Sequence, residues 1–237
     1  MPLADRVVLV TGATGGLGRV AVGAFGGAGA RLGLVGRDHA RLAALAADLG
    51  LPADRCAAAA ADLRDPAGAT RAVAGIVERF GRVDVVLHLV GGWSGGTKIA
   101  DLDLDEVRTM LDQHLWTTLH VARAVTLGMV ERGWGRFVAI SSTVALDGSS
   151  GQGAYAVAKA AEEALLRTLA REVAGTGVTA NVLVVRKIDT EHERDVAPGP
   201  KNASWTTPEE MVAAMLYLCS DEASVVNGTR IALTGRG

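Results

Sequence analysis

The strongest constraint on the fold is an alternation, along the whole chain, between short hydrophobic runs and longer stretches rich in alanine and leucine. Runs that are apolar at successive positions are typical of parallel strands buried on both faces. Each run is followed by enough residues for a helix, so we predict an α/β fold: a doubly wound parallel sheet of about seven strands with helices on both faces. The predicted strands cover residues 6–11, 31–35, 56–61, 83–89, 136–141, 178–185 and 229–233, and the predicted helices cover residues 17–28, 38–49, 66–80, 104–131, 155–173 and 208–219.

The sequence predicts one domain over residues 1–237, because no repeat or low-complexity linker divides the chain and its length suits a single large core. One segment departs from this pattern. Residues 190–204 are charged and include Pro198, Gly199 and Pro200. Loops of this length in compact domains are usually functional or disordered. We predict that residues 190–204 form a substrate loop or lid within the domain.

Composition and charge argue against several functional classes. The net charge of −2 gives no reason to expect a nucleic acid or an anionic membrane as partner. Cys56 and Cys219 lie far apart and lack the spacing of a metal site or a disulfide framework, which favours a reduced, cytoplasmic protein without a bound metal. The first residues show no signal-peptide pattern, and no apolar run reaches the length of a membrane span.

A glycine-rich turn joins the first predicted strand to the first predicted helix. In a doubly wound sheet such a turn lets the backbone approach the pyrophosphate of a dinucleotide, and the helix N-terminus offers free N–H groups to the phosphates. A tight turn without a ligand is the alternative, but the position at the start of a βαβ unit favours a nucleotide site. The candidate cofactor-binding residues in this turn are Thr11, Gly12, Thr14, Gly15, Gly16, Leu17 and Gly18.

The end of the second predicted strand indicates which cofactor is bound. An acidic side chain there would bind a free ribose 2′-hydroxyl, whereas this chain has Gly36 followed by Arg37. Because an arginine can pair with a 2′-phosphate, NADP(H) is favoured over NAD(H), with a solvated surface charge as the alternative for Arg37. After the third strand, we expect Asp62 to accept a hydrogen bond from the adenine amino group and Leu63 to line the adenine pocket.

Tyr155 and Lys159 are two polar residues in a stretch otherwise made of alanine, valine and glycine. Residues four apart lie on one face of a helix. A lysine ammonium beside a phenol favours the ionised phenol, and a phenol tuned in this way can transfer a proton near neutral pH. The spacing alone is also common on solvated helix faces, so its meaning depends on the rest of the chain.

The glycine-rich turn, Ser142, Tyr155 and Lys159, in this order and spacing, resemble the classical short-chain dehydrogenase/reductase family over nearly the whole chain. The resemblance implies a Rossmann fold and hydride transfer between a nicotinamide cofactor and a carbonyl or alcohol. It implies that Tyr155 transfers the substrate proton, that Lys159 keeps the phenol acidic and holds the nicotinamide ribose, and that Ser142 orients the carbonyl. Ser141 is the alternative serine. A homodimer or homotetramer is also implied.

The same resemblance assigns further cofactor residues. Ile188 and Thr190 match the segment that binds the nicotinamide carboxamide, and Val90 and Gly91 follow the fourth strand beside the cofactor.

Several positions depart from the family pattern. His88-Leu-Val-Gly91 replaces the usual Asn-Asn-Ala-Gly, and Val185-Arg186 replaces the usual Pro-Gly. His114 stands in place of the asparagine of the family's proton relay, where it could relay protons or fill the helix interior. The end of the chain, at residues 233–237, also lacks the family's acidic-glycine tail.

Local segments are similar to the quinonoid dihydropteridine reductases, notably residues 91–96, 113–117 and 145–148. Trp93 and Trp205, in or beside such segments, are candidate substrate-binding residues, with core packing as the alternative. Two differences oppose an equal function: those enzymes prefer NADH and carry an aspartate in place of Gly36, and they lack the serine that Ser142 supplies.

Three hypotheses follow. The first is an NADP(H)-dependent oxidoreductase of carbonyl or alcohol substrates, most simply a ketoreductase, with Ser142, Tyr155 and Lys159 as catalytic residues and His114 connecting Lys159 to solvent. The second is reduction of a quinonoid pterin or related heterocycle. The third is a non-catalytic NADP(H)-binding sensor or scaffold, which the departures favour and the intact catalytic set opposes.

Overall fold

The computed structural model describes residues 3–234, so the first two residues and residues 235–237 of the predicted atypical tail lie outside the described residues. Its core is a seven-stranded sheet in the order β3-β2-β1-β4-β5-β6-β7, in which every neighbouring pair is parallel. The predicted doubly wound sheet is confirmed. The strands are β1 (Val7–Thr11), β2 (Arg31–Gly36), β3 (Cys56–Ala60), β4 (Val85–His88), β5 (Gly135–Ser142), β6 (Val178–Val185) and β7 (Arg230–Ala232).

Helices cover both faces of the sheet. One face packs against α3, α5 and α7 through buried residues such as Ile76, Val125 and Leu166. The other face packs against α1, α2 and α9 through residues such as Phe25 and Met215. The helices are α1 (Gly16–Gly27), α2 (His39–Asp48), α3 (Pro66–Phe80), α4 (Leu104–Leu111), α5 (Thr117–Glu131), α6 (Val144–Asp147), α7 (Gly153–Glu172), α8 (Glu193–Val196) and α9 (Pro208–Leu218).

Two predicted helix starts have the expected caps. The Asp38 carboxylate accepts a hydrogen bond from the Arg41 N–H at the start of α2. The Asp65 carboxylate accepts from two N–H groups of α3, and Pro66 occupies the first turn, where its missing N–H costs nothing. These caps fix where each helix begins relative to the preceding strand.

The long helix predicted over residues 104–131 is interrupted. A π-turn (Asp112–Trp116) separates α4 from α5. The hydroxyl of Thr117 donates to the Gln113 carbonyl at 2.7 Å, and that of Thr118 donates to the His114 carbonyl at 2.6 Å. Side-chain hydroxyls that bond to helix carbonyls compete with the backbone ladder and distort the helix. His114 lies in this π-turn and faces a cavity at the carboxyl edge of the sheet.

The loop at residues 190–204 is held against the domain. It contains the short helix α8, and the buried Arg194 side chain pairs with Glu210 of α9 at 2.7 Å. The Asp189 carboxylate accepts hydrogen bonds from the N–H groups of Glu193 and Arg194. The loop lies over the carboxyl edge of the sheet, where ligands bind in this architecture. Its role as a lid stays a prediction.

In the described part of the chain, no helix combines the length and the apolar character needed to cross a membrane. Among residues 3–234, no group of three histidine, cysteine or acidic residues is arranged to hold a metal ion.

Candidate active site

Two neighbouring cavities lie along the carboxyl edge of the sheet. Both are lined by Gly12, Gly15, Leu89, Val90 and Gly91, so they form one continuous trough. One end of the trough reaches the carboxyl ends of β2 and β3, and the other reaches β5, β6 and the start of α7. Of the residues predicted for the site, those lining the trough are Gly12, Thr14, Gly15, Gly16, Leu17, Gly18, Arg37, Asp62, Leu63, Val90, Gly91, Trp93, His114, Ser142, Tyr155, Lys159, Ile188, Thr190 and Trp205.

Thr11 is also a predicted site residue, but it lies behind the trough and does not line it. Its hydroxyl is 2.9 Å from Nδ1 of His88, at the end of β4. The other ring nitrogen of His88 is 3.2 Å from the Thr117 hydroxyl. Complete burial and the nearby Lys159 charge lower the pKa of His88 to about 3, so the ring is neutral. His88 therefore ties β1 to α5 under the floor of the trough.

The glycine-rich turn has the geometry of a phosphate cradle. Gly12 has φ of +68°, and a Cβ added there would lie 2.7 Å from the Leu89 carbonyl oxygen. A Cβ on Gly18 would collide with the Gly12 carbonyl oxygen. At the N-terminus of α1, Gly15 gives no side-chain cap, which leaves the N–H groups of the first turn for an anion. The residues present therefore fit the pyrophosphate of a dinucleotide.

The far end of the trough is rich in arginine. Arg37 and Arg41 line it beside Gly36, and the Arg41 guanidinium reaches the Thr14 carbonyl at 3.5 Å. The sequence analysis missed Arg41, although its position four residues after Arg37, at the start of α2, is a signal that could have found it. Two guanidinium groups at this end suit a ligand that carries an additional phosphate.

The Asp62 carboxylate already has a hydrogen-bond partner that the sequence does not indicate. Its carboxylate accepts hydrogen bonds from the backbone N–H and the guanidinium of Arg64, the latter at 2.5 Å. This pairing with Arg64 lowers the pKa of the Asp62 carboxyl. A hydrogen bond from an adenine amino group to Asp62 would have to share the carboxylate with Arg64.

At the other end of the trough, β5 supplies Ser142 and α7 supplies Tyr155 and Lys159, and all three line the same cavity. Ser142 and Lys159 are buried, each with 4% of its surface exposed. Ser141 also lines this cavity, and its hydroxyl has no hydrogen-bond partner among residues 3–234. The cavity therefore brings the predicted catalytic side chains together, with both candidate serines at its wall.

Lys159 is fixed by two short contacts. Its Nζ donates to the Ile140 carbonyl oxygen at 2.6 Å and to Oε2 of Glu162 at 2.7 Å. Glu162 is 1% exposed, and its other oxygen is 2.9 Å from the Thr118 hydroxyl. The sequence analysis did not single out Glu162, although the spacing of three from Lys159 on a helix is typical of an ion pair.

His114 and Lys159 share no hydrogen bond, although both line the same cavity. Its Nε2 lies 3.0 Å from the Gly92 carbonyl oxygen and therefore carries the ring proton. Burial, reinforced by the Lys159 charge, lowers the pKa of His114 to about 3, so the ring is neutral. The ring packs edge-on against Tyr155 with 5.5 Å between centroids, and its Nδ1 has no hydrogen-bond partner in the described part of the chain.

Two tryptophans shape the mouth of the cavity. Trp93 is 63% exposed, and its indole N–H donates to the Gln152 side chain at 3.3 Å. Trp205 is buried, and the Lys187 ammonium lies 3.4 Å from the centre of its ring. Trp93 is thus available to a ligand, whereas Trp205 also anchors the end of the loop at residues 190–204.

Comparison with known proteins identifies the class. Residues 6–201 match the family model for short chain dehydrogenases. The chain is 33% identical to an uncharacterized oxidoreductase of Mycobacterium tuberculosis, over 98% of this chain and 90% of the relative. It is 34% identical to the (2S)-[(R)-hydroxy(phenyl)methyl]succinyl-CoA dehydrogenase subunit BbsC of Thauera aromatica, over 97% of this chain and 93% of the relative.

A solved structure supports the same family. The short-chain type dehydrogenase/reductase from Mycobacterium ulcerans matches this fold with a TM-score of 0.89 and 28% identity, over 98% of this chain and 90% of that chain. The chain therefore belongs to the short-chain dehydrogenase/reductase family, as its motifs predicted. It is an NAD(P)-dependent oxidoreductase that acts on small molecules.

The cradle geometry gives a direct test. Replacing Gly18 with Ala should weaken NADPH binding about tenfold or more and lower the melting temperature, because the new Cβ meets the backbone oxygens of Gly12 and Ala13. Gly23→Ala, farther along α1, is the control, since its Cβ meets nothing closer than 3.7 Å. Titration of NADPH fluorescence measures the affinity. Equal affinity of the Gly18 variant and the unaltered protein would contradict the close approach.

Proposed function

We propose that this enzyme is an NADP(H)-dependent reductase of carbonyl compounds, most simply a ketoreductase, with catalysis by Ser142, Tyr155 and Lys159. The observation that carries the proposal is the convergence of these three side chains on one cavity, with the Lys159 ammonium fixed inside the fold beside the helix turn that holds Tyr155.

The chemistry assigned to each residue follows from its functional groups. Bound nicotinamide supplies the hydride in reduction and accepts it in oxidation. Tyr155 gives its hydroxyl proton to the carbonyl oxygen, and the Ser142 hydroxyl donates a hydrogen bond to the same oxygen. Lys159 supplies a positive charge in the same cavity, and a positive charge beside a phenol favours its ionised form.

Ser142 is our choice over Ser141. It stands thirteen positions before Tyr155, as in the family pattern, and its carbonyl accepts a hydrogen bond from Arg230 at 3.3 Å, which supports its backbone position. His114 is proposed as a wall of the site that holds the Tyr155 ring, with its backbone carbonyl contacting Thr118.

The preference for NADP(H) rests on Arg37 and Arg41. Both line the adenosine end of the trough, and Gly36 stands at the end of β2 in place of the acidic residue that would bind a free ribose 2′-hydroxyl. Asp62 and Leu63 line the same end and are proposed to bind the adenine, while Ile188 and Thr190 border the nicotinamide end.

The carbonyl or alcohol substrate class has a separate support. The Thauera aromatica relative is named as a subunit of a dehydrogenase of a hydroxy compound. In this chain, Trp93 and Trp205 give the cavity aromatic walls suited to an apolar substrate body.

A second candidate is reduction of a quinonoid pterin or related heterocycle. The largely exposed Trp93 ring at the cavity mouth favours it, because a flat heterocycle can stack on an indole. In that reaction no carbonyl carbon receives the hydride, so Ser142 has no reacting carbonyl oxygen to orient.

We also propose a cytoplasmic homodimer or homotetramer. Cys56 and Cys219 are free thiols, which suits a reducing compartment.

Leu127 of α5 and Val157 of α7 are large apolar side chains exposed at 69% and 53%, which suits helices that pack against a second subunit.

Tyr155→Phe tests the mechanism. The variant should lose about 10²-fold or more of its turnover, because general acid catalysis is removed, while NADPH affinity stays within about twofold. Tyr217→Phe is the matched control, since Tyr217 is exposed on α9 and distant in sequence from the site. Steady-state kinetics and NADPH fluorescence are the measurements. Turnover at the normal rate in the Tyr155 variant would refute the mechanism.

Arg37→Ser tests the cofactor. Removing a charge-assisted bond to phosphate should weaken NADPH binding about tenfold to a hundredfold and leave NADH binding nearly unchanged. Arg71→Ser controls for the loss of one surface charge, because the Arg71 side chain is 72% exposed on α3. Binding of both cofactors is titrated by fluorescence. An equal loss for NADPH and NADH would show that Arg37 does not read a 2′-phosphate.

Ser142→Ala separates the two substrate classes. Loss of the hydrogen bond to the carbonyl should reduce kcat on ketones by about a hundredfold or more, whereas reduction of a quinonoid dihydropterin should change little. Ser141→Ala, the neighbouring serine on the same strand, is the control. If the Ser141 variant shows the ketone defect and the Ser142 variant does not, the assignment of the serine is wrong.

A further inference from the structure

Two successive buried carboxylates stand on α7, and each has its own cation. Glu162 and Glu163 are both 1% exposed. Glu162 pairs with Lys159 at 2.7 Å, and Glu163 pairs with Arg230 of β7 at 3.1 Å. The second pair ties a helix to a strand. The first pair includes a residue of the catalytic set, so the Glu162 carboxyl can influence the reaction through Lys159.

We propose that Glu162 is a positioning residue of the active site. It fixes the Lys159 ammonium, and its carboxyl group holds or releases one proton next to Thr118. The protonation state of Glu162 thereby sets how much net positive charge Lys159 presents to Tyr155. This inference rests on the proposed function, because it assumes that Lys159 promotes the ionisation of Tyr155.

The number of hydrogen atoms available at Thr118 supports protonation of the Glu162 carboxyl group. The Thr118 hydroxyl has one hydrogen but two close oxygen neighbours, the His114 carbonyl at 2.6 Å and Oε1 of Glu162 at 2.9 Å. A carbonyl oxygen can only accept. Both contacts are satisfied if Thr118 donates to His114 and protonated Oε1 of Glu162 donates to Thr118. On the other side, Oε2 of Glu162 accepts from Lys159.

The surroundings favour the same state. Burial raises the pKa of Glu162, although the Lys159 charge opposes this effect. The charged groups facing Glu162 are Lys159 and Glu163 on its own helix, and Arg230 of β7 balances Glu163. His114 of the π-turn and His88 of β4 add no charge, because their pKa values are about 3.

Two charge states follow. With Glu162 protonated, the ammonium of Lys159 is uncompensated and favours the Tyr155 phenolate. As the pH rises, the Oε1 proton passes to bulk water, and the resulting carboxylate offsets the Lys159 charge and disfavours the phenolate. Glu162 therefore limits the gain in phenolate at higher pH.

The first test is the pH dependence of alcohol oxidation, in which Tyr155 acts as the base. In Glu162→Gln, which cannot ionise, the ascending limb of the kcat profile should move to lower pH by about one unit. Glu163→Gln is the matched control: it also removes a buried carboxylate from α7, but one paired with Arg230, so its limb should stay in place. An unmoved limb in Glu162→Gln, or an equal shift in both variants, would overturn the proposal.

Thr118→Val provides a second variant that keeps the carboxyl group. Loss of the hydroxyl removes the acceptor of the Oε1 proton, so protonated Glu162 loses a hydrogen bond and should release its proton at lower pH. The limb should therefore move in the opposite direction to that in Glu162→Gln, to higher pH and by a smaller amount. A shift to lower pH would overturn the shared-proton arrangement even if Glu162→Gln does not fold.

A spectroscopic readout separates this inference from the proposed function. Infrared difference spectra of the wild-type protein should show the C=O band of a protonated carboxyl group above the ordinary glutamate pKa of about 4.3, and this band should vanish in Glu162→Gln but persist in Glu163→Gln. Its absence in the wild type would overturn the inference whether or not any substrate is turned over. Failure of Tyr155→Phe to reduce turnover, with the band present, would instead refute the proposed catalytic role.

Discussion

A buried ammonium group determines how the proposed catalytic end of this enzyme is built. Lys159 is almost completely buried, and a charge in that position is costly unless it is paired and hydrogen-bonded. Its partners are the Ile140 carbonyl near the end of β5 and the Glu162 carboxyl one turn along α7. The Ile140 contact ties α7 to the carboxyl end of β5, and the Glu162 contact fixes the ammonium on its own helix. Ser142 on that strand and Tyr155 on that helix consequently face one cavity.

The rest of the carboxyl edge offers space for a long, anionic ligand. Glycines at the β1–α1 turn remove the side chains that would fill the middle of the trough, and the uncapped α1 presents N–H groups to phosphate. Arg37 and Arg41 add positive charge at one end, whereas the other end becomes aromatic near Trp93. Charge and polarity therefore change along the trough from the adenosine end to the proposed substrate end.

The parts of this structure that the sequence predicts are those set by local rules. Continuous apolar runs identified the seven strands, and Asp38 and Asp65 marked helix starts, because period and capping act within a few residues. The π-turn was not predicted, since it depends on how Thr117 and Thr118 bond to carbonyls of the preceding turn. The roles of Glu162 and the Asp62–Arg64 pair were missed because a carboxylate in the sequence does not reveal whether it will be buried or which cation it meets.

The proposed function is reduction of carbonyl groups with NADPH. It can be tested by measuring how fast the purified wild-type protein consumes each reduced nicotinamide, at 1:1 stoichiometry with product, over a panel of ketones, quinones and quinonoid dihydropterins. With this function, NADPH is consumed with at least one class of ketone and is preferred to NADH. Consumption confined to quinones or dihydropterins, or a preference for NADH on every substrate, would contradict it.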